Sequence, residues 1–340
     1  MARTAFNVGP GFVEVGPGAG KVLIYSPGDI TVSEAIETEV INSAMFGPVD
    51  EIVMNRAVEV DFTPIGELES ASIYLPYQSS VIGSDLFPQT DETLIIRGAD
   101  LTKRTYSAAA LMDYPQISLA TGKSIWGPMK YLCLGTGDAL WSSTNNLMLH
   151  ETAQALPSHT LASAALKRNV YTAAWGTKIA PFNAMKSIDG FTINAKISTA
   201  DKSVDSFGLV NKYITGFSVE VTFSPVGLTE LNMTTIQTGA DPRVPFFFQG
   251  TGGILGSQKQ GGASPYNAAR GMSLAESGAN LVITGGTTPY AVTATVKNAV
   301  IKKVEYDWST SNPRVKSITM VATNTVFGGA MSDLFTLAIA

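Results

Sequence analysis

The sequence predicts a mainly β protein with two tandem β-sandwich or half-barrel domains, each with a short helix. Three observations predict this class: many short strand patterns bounded by Gly and Pro, an internal repeat, and few charged residues. Short strands between turn residues are typical of sandwiches and barrels. At 340 residues the chain is long enough for two domains or one large one, and for a sizeable core.

An internal repeat predicts the domain organisation. Residues 28–66 align without a gap on residues 189–227, and 12 of the 39 pairs are identical. Further along, LIIRG at 94–98 resembles LVITG at 281–285, so the second copy carries 26 extra residues between the shared motifs. The predicted parts are an N-terminal arm at 1–27, a first domain at 28–175 and a second domain at 176–340.

One strand in each copy has the clearest pattern. In AVEVDFTP the residues Val58, Val60 and Phe62 alternate with Ala and acidic residues, and 218–223 repeats this alternation. A period of two is typical of a strand with one buried face. The Pro-x-Gly that follows each strand marks a turn. Further strands are predicted in TLIIRG, QISLAT, MKYLCLG, FTINAKIS, ANLVITG, AVTATV, AVIKKVEYDW, RVKSITMVAT and MSDLFTLAIA.

Other segments depart from the strand pattern. The stretch 151–170 is rich in Ala and Leu and predicts a helix over about 160–168, with Ser158 or Thr160 as N-cap. The extra residues of the second copy fall in 246–280, whose Gly and Ser content predicts a long loop. Loops longer than about 15 residues are usually functional or disordered. Gly-Pro pairs near the N-terminus predict an irregular arm.

Composition limits the classes of function. Charged residues make up 15% of the chain, against about 25% in a typical soluble protein, so we expect much of the surface to be hidden in an assembly. The net charge of −5 argues against tight binding of phosphates, which needs clustered Lys and Arg. The sequence lacks an apolar run of membrane-span length and a signal-peptide pattern, so we expect no membrane partner.

Residues that carry chemistry in other proteins do not form a recognisable motif here. Cys133 lies in the apolar run YLCLG and is expected in the core. His150 lacks the second His of a helical zinc motif, since position 154 is Gln. In GPGAGKV, Val22 stands where a phosphate-binding loop needs Ser or Thr. We therefore predict that the protein is not an enzyme, with no catalytic residue, cofactor or metal.

The first copy resembles a known family in the order of its motifs. TPIGELES is followed by LIIRG and then by SAAALMDYPQISLATGKSIWGPMKYLCLG. This order is similar to the major tail tube proteins of long, non-contractile-tailed bacteriophages (siphoviruses). The resemblance covers about 45–140 well, and 189–227 supports it more weakly.

The resemblance implies a structural virion protein without enzymatic activity. Family members stack as rings whose inner strands close a continuous β-barrel around a channel for DNA. A chain with two tube domains implies homotrimeric rings of pseudo-sixfold symmetry. It also implies synthesis in the bacterial host cytoplasm and assembly into the virion tail. The implied partners are other copies of the chain, the tape measure, tail-tip and tail terminator proteins, and DNA that passes without specific binding.

Acidic residues on the alternating strands suggest a lumen face. Glu59 and Glu220 occupy the same position in the two copies, and Asp61 joins them in the first copy alone. An acidic lumen repels phosphates and lets DNA slide. The same residues also fit an outer face or a face between subunits, and the pattern leaves these alternatives open.

The insertion of the second copy suggests a contact between rings. A flexible arm that orders when a neighbour arrives suits ring stacking, and both 246–280 and 1–27 have the composition of such an arm. Aromatic residues dominate interface energetics, although three successive Phe residues also fit a core strand. The candidate contact residues are Phe246, Phe247, Phe248, Gly253 and Gln258.

Other classes of protein compete with the tube. A tail-tip hub or another injection-machine ring has similar requirements but stops at one ring. A carbohydrate-binding β-sandwich needs exposed aromatic residues clustered around a cleft. The four Trp residues are scattered in sequence, at 126, 141, 175 and 308, and neither support nor exclude a carbohydrate-binding protein.

Overall fold

A computed structural model of the chain confirms the mainly β class. Among the described residues, the elements with defined bounds are seventeen strands and a short 3-10 helix at Met331–Asp333, and Ala71 and Tyr77 are also helical. No helix among the described residues is long and apolar enough to cross a membrane. The described residues are 12–17, 22–26, 30–64, 71, 77–86, 92–98, 101–134, 148–154, 168–176, 182–204, 208–227, 279–288, 290–309, 314–323 and 328–339.

Contacts between residues divide the chain into two units. Residues 196–217 belong to the second copy of the repeat, but their contacts assign them to unit 1. Unit 1 comprises Met1–Gln116, Trp126–Ala164 and Lys196–Phe217, and unit 2 comprises Ile117–Ile125, Ala165–Ala195 and Ser218–Ala340.

A five-stranded antiparallel sheet of unit 1 contains the N-terminal strands. Its order is β10 (Met148–Glu151), β6 (Lys103–Tyr106), β5 (Glu92–Arg97), β1 (Phe12–Pro17) and β2 (Val22–Tyr25). The sequence predicted an irregular arm over 1–27, and this was wrong for its described part. Strand β1 is hydrogen-bonded on both edges and buries Phe12, Val13 and Val15, so the Gly-Pro pairs do not prevent a sheet.

A four-stranded sheet of unit 1 contains the first alternating strand. Its order is β3 (Thr31–Ser43), β4 (Gly47–Phe62), β9 (Met129–Cys133) and β7 (Ala109–Leu111). The predicted alternation is confirmed, since Val58, Val60 and Phe62 are each at most 2% exposed. The ring of Phe62 stacks on Tyr131 with centroids 5.9 Å apart. Cys133 is fully buried in the core, as the apolar run predicted.

An eight-stranded sheet organises unit 2. Along its main path the order is β11 (Tyr171–Trp175), β14 (Ala279–Gly285), β15 (Val292–Asp307), β16 (Arg314–Ala322), β13 (Gly208–Pro225), β12 (Ser187–Val204) and β8 (Ile117–Leu119), and β17 (Phe335–Ile339) pairs with β15. The sequence predicted separate strands in AVTATV and AVIKKVEYDW, whereas β15 is continuous through both. Register shifts after Ile301 and Glu305 let this long strand follow β16.

Several predicted segments lie outside the described residues. These are residues 160–167 of the predicted helix and residues 246–278 of the predicted loop. Strand β14 occupies the last two positions of the predicted loop range, because Ala279 begins the strand that carries the repeated LVITG motif.

Equivalent positions in the two units share backbone detail as well as sequence. Ala108 in unit 1 and Asn298 in unit 2 both adopt positive φ, at 48° and 43°. Each carbonyl accepts a backbone hydrogen bond from the residue that follows the neighbouring strand, which is Leu134 after β9 at 3.0 Å and Thr323 after β16 at 3.3 Å. With the strand registers, this match pairs Ala110 with Val300, Lys130 with Thr319, Leu132 with Val321 and Cys133 with Ala322. Because the register of β15 shifts after Ile301, Lys303 lies opposite Thr319 as Met112 lies opposite Lys130, and Lys303 is the counterpart of Met112.

Candidate functional site

Two long β-hairpins carry the repeated block of sequence. The first hairpin comprises β3 and β4, and the second hairpin comprises β12 and β13. The first reverses at Phe46-Gly47, where Gly47 adopts a φ of +72° that favours glycine. The repeat has the same Phe-Gly pair at 207–208. Sequence analysis identified the repeated block without recognising it as a hairpin. The Phe-Gly pair, which is repeated in the sequence and lies at the turn of the first hairpin, is the signal that could have predicted the turn.

The outer part of the first hairpin, residues 33–56, is exposed on both faces. Its apolar side chains include Phe46 at 76% exposure and Ile36 at 62%. A contiguous set of exposed apolar side chains on a strand pair is unusual and marks an interaction surface. The remaining exposed apolar residues are Val40, Ile41, Met45, Val49, Ile52, Val53 and Met54.

The outer part of the second hairpin, residues 196–217, packs into unit 1. Ile214 is 3% exposed, and its counterpart Val53 in the first hairpin is 37% exposed. Ile197, the counterpart of Ile36, packs against the same cluster. The cluster comprises Ala57, Ile82, Leu86, Ala108, Ala110, Met112, Leu132 and Leu134 of the unit 1 body, with Ile197, Leu209, Ile214 and Phe217 of the hairpin.

Backbone hydrogen bonds fix the second hairpin in this position. Ile214 donates to the carbonyl of Ser84 at 3.0 Å and accepts from the N–H of Gly83 at 2.8 Å. Leu86 donates to the carbonyl of Lys212 at 2.7 Å. These bonds satisfy polar backbone groups that burial would otherwise leave unpaired. Residues 83–86 therefore bind the hairpin through main-chain hydrogen bonds, as an extended segment binds the edge of a sheet.

Charged groups of opposite sign frame this packing. The Lys202 ammonium lies 3.4 Å from the Asp85 carboxylate and over the ring of Tyr213, 5.1 Å from its centroid. The backbone N–H of Ile197 donates to Asp113 Oδ1 at 3.4 Å. In unit 1, therefore, the cation at this contact belongs to the hairpin, and the carboxylates of Asp85 and Asp113 belong to the rest of the unit.

The predicted lumen residues lie on the polar face of their strands, each beside a lysine. Glu59 Oε2 is 2.8 Å from Lys130 Nζ, and Glu220 Oε2 is 3.8 Å from Lys302 Nζ. The hydrogen bond that Lys130 donates to the Glu59 carboxylate raises the pKa of Lys130, and the nearby Asp61 adds to this effect. The face is therefore mixed in charge rather than purely acidic.

The polar face of β4 is partly covered in unit 1. Ala57, on one side of Glu59, and Leu132, its cross-strand partner, both belong to the cluster under the second hairpin. Glu59 thus lies at the edge of a packed surface, with Asp61 further from it along the strand. The lumen role of Glu59, Asp61 and Glu220 stays a prediction.

The predicted contacts between rings cannot be placed. Phe246, Phe247, Phe248, Gly253 and Gln258 lie outside the described residues. The hairpin residues described above were not recognised from the sequence, because Ile36 and Val53 have the same apolar character as their packed counterparts.

Groups that could do chemistry are dispersed in the described part of the chain. No cluster of three or more His, Cys, Asp or Glu residues suited to a metal occurs there. Burial raises the pKa of the Cys133 thiol to about 12, which disfavours the thiolate needed for nucleophilic chemistry.

An open cavity of about 320 Å³ lies in unit 2. Its lining includes Lys123, Lys186 and Asp189, and its aromatic residue Tyr171 is 6% exposed. Of the Trp residues, 126 and 175 are buried in the core. The lining of this cavity therefore does not present the exposed aromatic surface expected of a carbohydrate site.

Comparisons with known proteins add little. No protein-family model matches the sequence, and no curated protein matches it. Among solved structures, the chain is similar to the cap that terminates the tube of the anti-feeding prophage, at 15% identity and a TM-score of 0.28, over 56% of this chain and 98% of that one. A likeness at this TM-score carries no argument about fold or function.

Proposed function

We propose that this chain is a structural subunit of a phage-type tail tube. Its copies form homotrimeric rings of pseudo-sixfold symmetry that stack around a channel for DNA. The observation that carries the proposal is the pair of equivalent hairpins, one covered within unit 1 and one exposed. The covered hairpin has its binding surface within its own chain, whereas the exposed hairpin needs such a surface on another copy. Contacts of this kind join copies head to tail and close into a ring when the rotation between copies permits.

The low charge content supports a building block that hides surface in an assembly. In this function the chain needs no catalytic residue, cofactor or metal. Its place is the virion tail, with the tape measure, tail-tip and terminator proteins as further partners. DNA passes without specific binding, because a net charge of −5 disfavours tight binding of phosphates. The lumen positions are Glu59, Asp61 and Glu220, and the stacking positions lie in 246–280.

Negative-stain electron microscopy of the purified chain at high concentration, beside a mass measurement, tests the function. We expect hollow tubes built of threefold rings. Discrete rings that never stack would instead indicate a hub at the tail tip or another injection machine. A protein that stays monomeric at high concentration, even with preformed tail tips added as initiators, would contradict the tube function.

A further inference from the structure

We infer that the outer part of the first hairpin docks on unit 2 of a second copy of this chain. The receiving surface is the one that corresponds, through the repeat, to the surface that the second hairpin covers in unit 1. This inference rests on the proposed ring assembly, and it names the surfaces through which neighbouring copies join.

The covered surface of unit 1 defines what to look for. It lies on the polar side of the β4–β9 sheet, opposite the buried Val58 and Val60, and includes Ala57, Ala110 and Leu132. Ile197 and Ile214 of the second hairpin pack there. The interface thus pairs the apolar side chains of a hairpin with the outer face of a neighbouring sheet, and hydrophobic burial drives it.

The corresponding surface of unit 2 is largely accessible, with the exception of Val300, the counterpart of Ala110, which is buried. Ser218 and Lys303 are exposed there, and Asn298, Val321 and Thr323 are half-buried. Their counterparts in unit 1 are Ala57, Met112, Ala108, Leu132 and Leu134, all of which belong to the covered cluster.

Charge distinguishes the two docking surfaces. Residues 33–56 carry five acidic side chains and one basic one, Arg56. The unit 2 surface carries the exposed Lys302 and Lys303, whereas Asp85 and Asp113 contact the second hairpin in unit 1. This difference favours unit 2 and disfavours the carboxylate-bearing surface of unit 1, which gives specificity through repulsion as well as attraction.

The occupant is a second copy because each copy has one hairpin to place and one surface to fill. The chain's own second hairpin already occupies the unit 1 surface. The exposed first hairpin and the accessible unit 2 surface are two different patches, so their contact is heterologous and repeats from copy to copy. In a ring of three chains, three contacts within chains, made by the second hairpins, would alternate with three contacts between chains, made by the first hairpins.

Paired cysteines test the contact. Ile197 and Met112 both pack against the covered cluster of unit 1, and their counterparts are Ile36 of one copy and Lys303 of the next. Ile36→Cys protein is mixed with Lys303→Cys protein under mild oxidation at assembly concentration and examined on non-reducing gels. The control is the double variant Ile197→Cys with Met112→Cys, which should cross-link within one chain. Native Cys133 is buried and does not compete.

We expect a disulfide-linked dimer from the mixture and much less from either variant alone. A chain with both Ile36→Cys and Lys303→Cys should give a ladder that ends at the trimer. Tubes that form without this cross-link, while the control pair links, would overturn the docking and leave the tube function standing. Cross-linked rings that never stack would support the docking and contradict the tube. Neither cross-link nor assembly would overturn both.

Discussion

Ile36 and Ile197 are the same residue at the same place in two copies of one sequence block, yet their surroundings differ. Ile36 is 62% exposed, whereas Ile197 packs against the core of unit 1. The same contrast separates Val53 from Ile214. Because the two hairpins have similar apolar residues at these places, the difference lies in what covers them. The apolar surface that is buried in the second hairpin is exposed in the first, which indicates that the first hairpin packs against another molecule.

Truncation of the packed hairpin should have the largest effect. Ile214→Ala removes a side chain that is 3% exposed, and such truncations in a core cost about 2–5 kcal/mol. The matched Val53→Ala should change the free energy of unfolding of the dilute protomer by less than about 0.5 kcal/mol. Urea denaturation followed by circular dichroism measures both. Equal losses from the two variants would show that both hairpins are packed in the protomer.

Charge reversal should sharpen the comparison at the assembly step. Glu51→Lys should weaken association about tenfold, which equals about 1.4 kcal/mol, because it lowers the excess of negative charge that residues 33–56 bring to Lys302 and Lys303 of the neighbour. Adding Lys303→Glu should restore association. Sedimentation over a range of salt concentrations measures this, and the effect should shrink as salt screens the charges. A double variant that associates no better than the single one would exclude this charge pairing.

Alkaline pH should destabilise unit 1 through Cys133. Burial raises the pKa of the folded thiol from its ordinary value of 9.0 to about 12, so the unfolded thiol loses its proton first. The stabilising effect is complete below about pH 9 and is lost as pH rises toward 12, with a loss of about 1.4 kcal/mol at pH 10. Cys133→Ala should remove this part of the pH dependence. The equivalent position in unit 2 is Ala322, which does not titrate.

The smallest effect is expected at the polar strand face. Glu59→Gln should lower the pKa of Lys130, because its hydrogen bond to Glu59 is the main cause of the raised value. Stability should change by less than about 0.5 kcal/mol, since the pair is partly exposed. Titration followed by NMR of the Lys130 side chain measures the shift. An unchanged pKa would mean that the pair does not persist in solution.

Local sequence pattern predicted the strands well where burial has a simple period. Val58, Val60 and Phe62 are buried as the alternation required, and ANLVITG coincides with β14. The pattern did not predict that β15 continues through both AVTATV and AVIKKVEYDW, since register shifts break the alternation without ending the strand. Residues 12–25 were missed because their pairing with β5 is distant in sequence.

The candidate surface could not be predicted from composition or period. Ile36 and Ile197 are identical, and no local signal tells a covered isoleucine from one that lacks a partner. The repeat identified the equivalent positions, but their exposure depends on tertiary contacts of residues 196–217 with segments more than 60 residues away. Glu59 and Glu220 were recognised as equivalent, whereas Lys130 and Lys302 beside them come from other strands.

Hydrogen–deuterium exchange across both hairpins, compared between dilute protomer and assembled protein, tests the central claim most directly. Amides in 33–56 should exchange readily in the protomer and become protected on assembly, together with those around Lys302 and Val321. Amides in 196–217 should be protected in both states. Assembly that leaves 33–56 as exchangeable as in the protomer would contradict the claim that this hairpin meets a neighbouring copy.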